Sequence, residues 1–120
     1  MPAPDHSIPL IRLEEIDSTS LEARRRLAVG TDIAGPVAVV ARRQTGGIGR
    51  FGRRWESPAG GVWMTLIWPL GPDAAGVIDG LGLRIGLACC RAVEEALAQS
   101  GCRKPVRLKW PNDVLVDGRK

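Results

Sequence analysis

The sequence has few aromatic residues and few of the side chains that most often build metal or redox sites. It contains four tryptophans, one phenylalanine, no tyrosine, one histidine and three cysteines. The spacing of Cys89, Cys90 and Cys102 matches no zinc or redox motif, so we expect buried or unreactive thiols. The many arginines could indicate a nucleic-acid-binding protein. The sequence does not favour this function, because it has few aromatic rings on which bases could stack.

Long apolar runs, repeats and low-complexity tracts are also lacking. No run approaches the roughly 20 apolar residues that cross a bilayer, and the N-terminus does not resemble a signal peptide. We therefore expect a cytoplasmic protein with no membrane partner. A chain of 120 residues that is 44% hydrophobic is typical of one globular domain. The first ten residues carry three prolines, which predicts a flexible arm over 1–10 and a domain over 11–120.

Hydrophobic periodicity predicts an alternation of strands and helices. A capping-box spacing from Thr19 to Glu22 starts the first helix, and Gly30 ends it. A second helix is predicted from an apolar stripe of residues and ends near Gly101. That stripe consists of Leu83, Leu87, Cys90, Val93 and Leu97. The predicted strands are Ile11 to Leu13, Pro36 to Ala41, Val62 to Trp68, Val106 to Trp110 and Val114 to Val116, the last followed by a tight turn at Asp117 and Gly118. This order favours an α/β domain on a mixed sheet.

The net charge of +4 favours anionic partners, and one arginine cluster is interleaved with glycines. Residues 42–55 read RRQTGGIGRFGRRW. Glycines let the backbone approach an anion, and guanidinium groups bind phosphate oxygens in pairs. The segment lacks the spacing of a P-loop, and its arginines argue against a dinucleotide-binding turn. It predicts a phosphate-binding loop, with a flexible solvated loop as the alternative.

Two further clusters carry chemistry. Asn112 and Asp113 are a carboxamide and a carboxylate that suit Mg²⁺, and Lys109 can meet a phosphate as a point charge. The same Pro-Asn-Asp run is also ordinary turn chemistry. Asp17-Ser18-Thr19-Ser20 offers hydroxyl groups before a helix, or no more than a helix N-cap.

In order and spacing, three motifs resemble those of biotin protein ligases. They are Asp-Ser-Thr at 17–19, Gln-Thr-x-Gly-x-Gly-Arg-x-Gly-Arg-x-Trp at 44–55, and Lys-Trp-Pro-Asn-Asp at 109–113 followed by Asp-Gly-Arg-Lys. The resemblance runs from Ile11 to Lys120. It implies the class II aminoacyl-tRNA synthetase-like fold of biotin and lipoate ligases. It also implies activation of biotin by ATP to biotinyl-5′-AMP, followed by transfer to a lysine of a biotin carboxyl carrier protein.

The resemblance also implies roles for individual residues. Arg50 and Lys120 would be catalytic and would hold the biotin carboxylate. The other biotin contacts would be Ser18, Thr19, Gln44, Gly47 and Trp55. ATP would meet Arg50, Arg53, Lys109, Asn112 and Asp113, with Asp113 also binding Mg²⁺.

Two positions depart from the family pattern, and the family's later strands and C-terminal barrel are missing. Ile48 stands where the family usually has an arginine, and Ser20 replaces the usual asparagine. We therefore expect a truncated version of the domain, and we expect no repressor activity because no winged-helix segment precedes it. A lipoate ligase, and a relative that binds biotin or nucleotide without turnover, stay open as alternatives. A homodimer also stays open.

Overall fold

The computed structural model describes residues 7–120 as two compact units, the first ending at Pro69 and the second beginning at Leu70. Residues 1–6, which make up most of the predicted N-terminal arm, lie outside the described residues. The first strand begins at Leu10, and the carbonyl of Pro9 accepts a hydrogen bond from the Ala38 amide at 3.0 Å.

A mixed three-stranded sheet forms the first unit, as the sequence predicts. Strand β1 (Leu10–Ile16) runs parallel to β2 (Val37–Gln44), which runs antiparallel to β3 (Trp63–Ile67), so β2 lies in the middle. Its apolar run is buried, and Val39 is 0% exposed. Burying a side chain of that size contributes about 1.5–3 kcal/mol, which accounts for its place at the centre of the unit.

Helix α1 (Thr19–Ala28) connects β1 to β2 and packs on β2 and β3. Its N-cap is Ser18, whose Oγ accepts a hydrogen bond from the Leu21 amide at 3.4 Å. The predicted capping box from Thr19 to Glu22 is therefore wrong by one residue. The Glu22 carboxylate pairs with arginines of the next turn instead of reaching back to a cap. The predicted end at Gly30 is confirmed, since this glycine has a φ of +73° just beyond the helix.

Strand β3 is an edge strand with two different faces. Met64, Leu66 and Trp68 are 42–57% exposed, whereas Trp63, Thr65 and Ile67 are half-buried. Residues that alternate along a strand point to opposite faces. Helix α1 packs on β3, and on its half-buried face Thr65 meets the hydroxyl groups of two residues of that helix, Thr19 and Ser20.

The second unit contains α2 (Ala74–Ile78), α3 (Leu81–Gln99) and an antiparallel hairpin of β4 (Val106–Lys109) and β5 (Asp113–Val116). Helix α2 was not predictable from the sequence, because five residues are too few to show a helical period. The strand predicted to reach Trp110 ends at Lys109. No described helix has both the length and the apolar character needed to cross a membrane.

Helix α3 packs on the hairpin, and its predicted apolar stripe is buried or half-buried except at Leu87. Cys90 is buried as expected, but Leu87 is 49% exposed, so the stripe is wrong at that position. Gly86 is buried instead, and a Cβ there would lie 2.8 Å from Leu108 Cδ1. The missing side chain therefore allows the helix and hairpin to approach closely.

The tight turn at Asp117 and Gly118 is confirmed. Both residues have positive φ, +52° and +76°, and Val116 and Arg119 exchange two backbone hydrogen bonds across the turn. The sequence predicts a returning strand that begins at Arg119 and Lys120, but only an isolated bridge joins Val116 to Arg119, and the strand partner of β5 is β4.

Candidate functional site

The glycine-rich loop after β2 is ordered by hydrogen bonds within its own backbone. The Gly49 amide donates to Arg53 O at 2.6 Å and the Trp55 amide donates to Gly47 O at 2.8 Å. A single 3-10 turn, Arg50–Gly52, forms the tip. The loop is therefore a narrow hairpin with an arginine at its tip.

The base of this loop is held against the corner between β1 and α1. The Gly46 amide donates to the carbonyl of Asp17 at 2.7 Å. The Asp17 carboxylate is bound by the guanidinium of Arg25 and accepts the Ser18 amide at 2.7 Å. The Arg25 hydrogen bond, with a smaller contribution from the Ser18 amide, holds the pKa of Asp17 below its usual range. Two motifs that are far apart in the sequence are thus adjacent in the fold.

Five of the predicted site residues line one open cleft of about 270 Å³. They are Ser18, Thr19, Gln44, Gly47 and Trp55. The other lining residues, which the sequence analysis did not assign, are Ser20, Ile48, Val62, Trp63, Met64 and Thr65. The cleft therefore has a polar end of hydroxyl and amide groups and a wall with two tryptophans.

Gln44 is the hydrogen-bonding centre of the polar end. Its Oε1 accepts from the Thr19 amide at 2.8 Å and from Thr19 Oγ1 at 3.1 Å. Its Nε2 donates to Ser57 Oγ at 3.0 Å. Because a backbone N–H can only donate, Oε1 must face Thr19, and the orientation of the amide is fixed.

Ser57 is a site residue that the sequence analysis missed. It is 2% exposed, and its hydroxyl group donates to Trp55 O at 3.3 Å. Nothing in its sequence neighbourhood, between a glutamate and a proline, indicates a buried polar role. Only the return of the loop to pair with Gln44 brings it into the site.

Gly47 forms the floor of the cleft at a position where only glycine fits. A Cβ there would lie 2.7 Å from Trp55 O and 2.8 Å from Ser57 Oγ. The glycine is thus needed for the close approach of backbone strands, in addition to any ligand role.

Thr65 is the second missed residue. Its Oγ1 lies 2.9 Å from Thr19 Oγ1 and 3.0 Å from Ser20 Oγ. One feature of the sequence points to it, because it is the only polar residue in the run VWMTLIW.

The loop arginines fall into two groups. Arg42, Arg43 and Arg54 form salt bridges with Glu14, Glu15 and Glu56. Within residues 7–120, no salt bridge involves Arg50 or Arg53, and the Arg50 guanidinium lies over the Phe51 ring at 5.3 Å. Both are exposed, and neither lines the cleft. They are the two loop arginines best placed to meet an incoming anion.

The remaining predicted residues cluster within the second unit. Lys109 and Asp113 are partners in the β4–β5 register, and Lys120 Nζ lies 2.9 Å from Asp113 Oδ1. The Lys120 hydrogen bond, helped by the charge of Lys109, holds the pKa of Asp113 below its usual range. Asn112 is exposed in the turn between the strands.

Asp113 is the one predicted metal ligand. Among residues 7–120, no three His, Cys, Asp or Glu side chains are grouped closely enough to hold a metal ion. A single carboxylate that already binds Lys120 does not form a protein cage. It fits an Mg²⁺ ion that takes most of its ligands from substrate phosphates and water.

A larger cleft, of about 530 Å³, opens at the other end of the sheet in the first unit. It is mostly apolar and is lined by the start of β2 and the end of β3, including Val37 and Ile67. It contains none of the predicted site residues, so the smaller polar cleft is the better candidate.

Residues 16–120 match the biotin/lipoate A/B protein ligase family, a span that includes all three motifs. The chain belongs to this family. It is 37% identical over 109 residues to the bifunctional ligase/repressor BirA of Escherichia coli, covering 90% of this chain and 31% of that protein. It is 36% identical over 110 residues to the biotin–[acetyl-CoA-carboxylase] ligase of Paracoccus denitrificans, covering 90% and 42%.

Solved structures of biotin protein ligases share the fold. The Leishmania major enzyme in complex with biotinyl-5-AMP superimposes with a TM-score of 0.72 at 36% identity, over 92% of this chain and 48% of that one. The Aquifex aeolicus enzyme in complex with biotin and ATP superimposes with a TM-score of 0.67 at 37% identity, over 88% of this chain and 40% of that one. The chain thus spans between 31% and 48% of the length of these relatives.

Proposed function

We propose that the chain carries the biotin-binding part of a biotin protein ligase. The proposed enzyme activates biotin with ATP to biotinyl-5′-AMP and transfers it to a specific lysine of a biotin carboxyl carrier protein in the cytoplasm. The observation that carries this proposal is the polar end of the cleft, where Thr19 fixes the Gln44 amide. No membrane or nucleic-acid partner is proposed, and the oligomeric state is left open.

The polar end suits the cyclic urea of biotin. That ring offers one carbonyl acceptor and two N–H donors, and the cleft provides hydroxyl oxygens as acceptors and the second N–H of Gln44 Nε2 as a donor. Trp55 and Trp63 provide an apolar wall for the sulfur-containing ring and the aliphatic chain.

The first chemical step joins biotin to the α-phosphate. A carboxylate oxygen attacks the α-phosphorus of ATP, the bond to the bridging oxygen breaks, and pyrophosphate leaves. Arg50 and Arg53 suit the phosphate oxygens because no described carboxylate neutralises them. Lys120 would contact the carboxylate and the α-phosphate, and Lys109 and Asn112 would contact ATP.

In the second step the amine of the acceptor lysine attacks the acyl carbon. AMP leaves, and the nitrogen loses a proton as the amide forms. No bond to the enzyme is needed in either step, so catalysis would rest on positioning and on electrostatic stabilisation. The glycine-rich hairpin would cover the adenylate and exclude water.

Asp113 would hold Mg²⁺ through its carboxylate or through waters on the ion. When bound, the ion supplies positive charge that offsets the charge of the ATP phosphates.

Two other functions are alternatives to this one. A lipoate ligase would have to place an apolar dithiolane ring where Thr19 and Gln44 present polar groups, so the cleft disfavours it. A relative that binds biotin without turnover is favoured by one observation, the apolar Ile48 at the rim where the family usually carries a cation.

Calorimetry combined with product analysis separates these functions. A ligase should bind biotin more tightly in the presence of a non-hydrolysable ATP analogue and Mg²⁺, and with ATP it should form biotinyl-5′-AMP detectable by mass spectrometry. A simple binder should show neither coupling nor adenylate. Binding of lipoate in place of biotin, or of neither acid, would contradict the proposal.

A further inference from the structure

The hydroxyl groups at the polar end of the cleft form a chain in which every hydrogen has a fixed direction. Gln44 Oε1 carries no hydrogen, so Thr19 Oγ1 must donate to it. The only hydroxyl hydrogen of Thr19 is then used. Across the 2.9 Å contact between the two threonines, Thr65 must therefore be the donor.

The same reasoning extends the chain to its outer end. Thr65 has spent its hydrogen on Thr19, so Ser20 Oγ must donate to Thr65 across their 3.0 Å contact. On the other side of the amide, Gln44 Nε2 donates to Ser57, which donates to Trp55 O. Bonds that run in one direction polarise one another and strengthen the chain.

This direction decides what Thr65 can offer to a ligand. Among the described residues its oxygen has two hydrogen-bond partners, one that it donates to and one that it accepts from. A hydroxyl group has one hydrogen and two lone pairs, so Thr65 keeps one lone pair and no hydrogen. Thr65 also lines the cleft and is half-buried.

We propose that Thr65 is a substrate-binding residue that accepts a hydrogen bond from one N–H of the cyclic urea and so makes the cleft selective for that N–H. This inference rests on the proposed function, because it assigns a contact to the biotin that the cleft is proposed to bind. A ligand with a ring oxygen in place of this N–H would bind more weakly, because its lone pair would face the lone pair of Thr65 Oγ1.

The test compares biotin with its two cyclic carbamate analogues, each with one urea N–H replaced by a ring oxygen of similar size. For the wild-type chain, one of the two carbamates should bind about tenfold more weakly than biotin, the usual scale for an unmade hydrogen bond in a partly buried site. Thr65→Val keeps the shape of the side chain and removes the hydroxyl group. In this variant, biotin and that carbamate should bind with about equal affinity. Thr65→Ser is the matched control and should retain it.

Calorimetric affinities for the three ligands distinguish the outcomes. If the wild-type chain binds no biotin, the proposed function fails and this assignment fails with it. If the wild-type chain binds biotin but does not discriminate against either carbamate, only this assignment is overturned. It is also overturned if Thr65→Val weakens all three ligands equally, since that pattern describes a residue that merely supports the fold.

Discussion

At the scale of single residues, the cleft contains side chains that act in folding and in the candidate site at once. Ser18 caps α1 and also lines the cleft, so the N-cap predicted for this motif is confirmed, and its contact with biotin stays a prediction. Gln44 was predictable from its motif. Ser57 was not, because its role depends on which strands become neighbours. Thr65 was marked only as the one polar residue of an apolar run, and that pattern does not show which side chains it contacts.

The ion pair between Arg25 and Asp17 provides a test of the corner that holds the loop. Replacing Arg25 with leucine should raise the pKa of Asp17 towards its ordinary value, because the largest stabilising contact of the carboxylate is lost. The change is measurable from the pH dependence of the Asp17 carboxyl carbon shift in NMR spectra. Arg24→Leu, on the same helix but outside every salt bridge of residues 7–120, should leave that pKa unchanged.

The sign of the resulting pH dependence follows from the lowered pKa. A carboxyl group with a lower pKa in the folded state stabilises the fold above its unfolded pKa, and this stabilisation is lost as pH falls through the folded pKa. Urea unfolding in that acidic range should therefore show a weaker pH dependence for Arg25→Leu than for the wild-type chain. An equal dependence in both would exclude this ion pair as a stabilising contact.

Gly47→Ala tests the close packing of the cleft floor. The added methyl group would meet the Trp55 carbonyl and the Ser57 hydroxyl, so we expect a loss of roughly 1–3 kcal/mol in unfolding free energy. Chemical denaturation provides the measurement. Gly35→Ala is the control in the same unit, because a Cβ there meets nothing within 4 Å. The unfolding free energy of this variant should stay within about 0.5 kcal/mol of the wild-type value. Equal stabilities for the two variants would show that the floor can relax.

At the scale of elements, the sequence predicts helices and strands that are long enough to show a hydrophobic pattern. It does not predict short elements or the pairing of strands. The buried run of β2 and the turn at Asp117 were predictable from β-branched residues and turn chemistry. Helix α2 and the pairing of β4 with β5 were not. The stripe on α3 failed at Leu87 because the contact surface is centred on Gly86, and a glycine contributes nothing to a hydrophobic period.

Two glycines of α3 allow helix propensity to be separated from packing. Gly82→Ala should stabilise the chain by about 0.5 kcal/mol, because alanine is the better helix former and a Cβ there meets nothing within 4 Å. Gly86→Ala should not show this gain, because the methyl group would lie 2.8 Å from Leu108 Cδ1 and 3.4 Å from Asn112 Cα, so the Leu108 side chain must shift to admit it. Thermal unfolding of both variants checks the difference. Stabilisation by Gly86→Ala would contradict the close contact between helix and hairpin.

At the scale of the whole molecule, membership of the family and the mixed sheet of the first unit agree with what three short motifs predicted. The motifs succeeded because each needs particular side chains at fixed spacings. The chain spans 31% of one curated relative and 42% of another. The activity, the acceptor and the roles of Arg50, Arg53 and Lys120 therefore stand as proposals for experiment.

In the proposed function, biotin binds in the cleft between Gln44 and the tryptophan wall. The most direct measurement is a biotin titration of the ¹⁵N-labelled chain, followed through the indole N–H resonances in NMR spectra. Trp55 and Trp63 line the cleft, whereas Trp68, in the same unit, does not. Biotin should shift the resonances of Trp55 and Trp63 and leave that of Trp68 in place. A shift of Trp68 alone, or no shift of any indole at saturating biotin, would contradict this proposal.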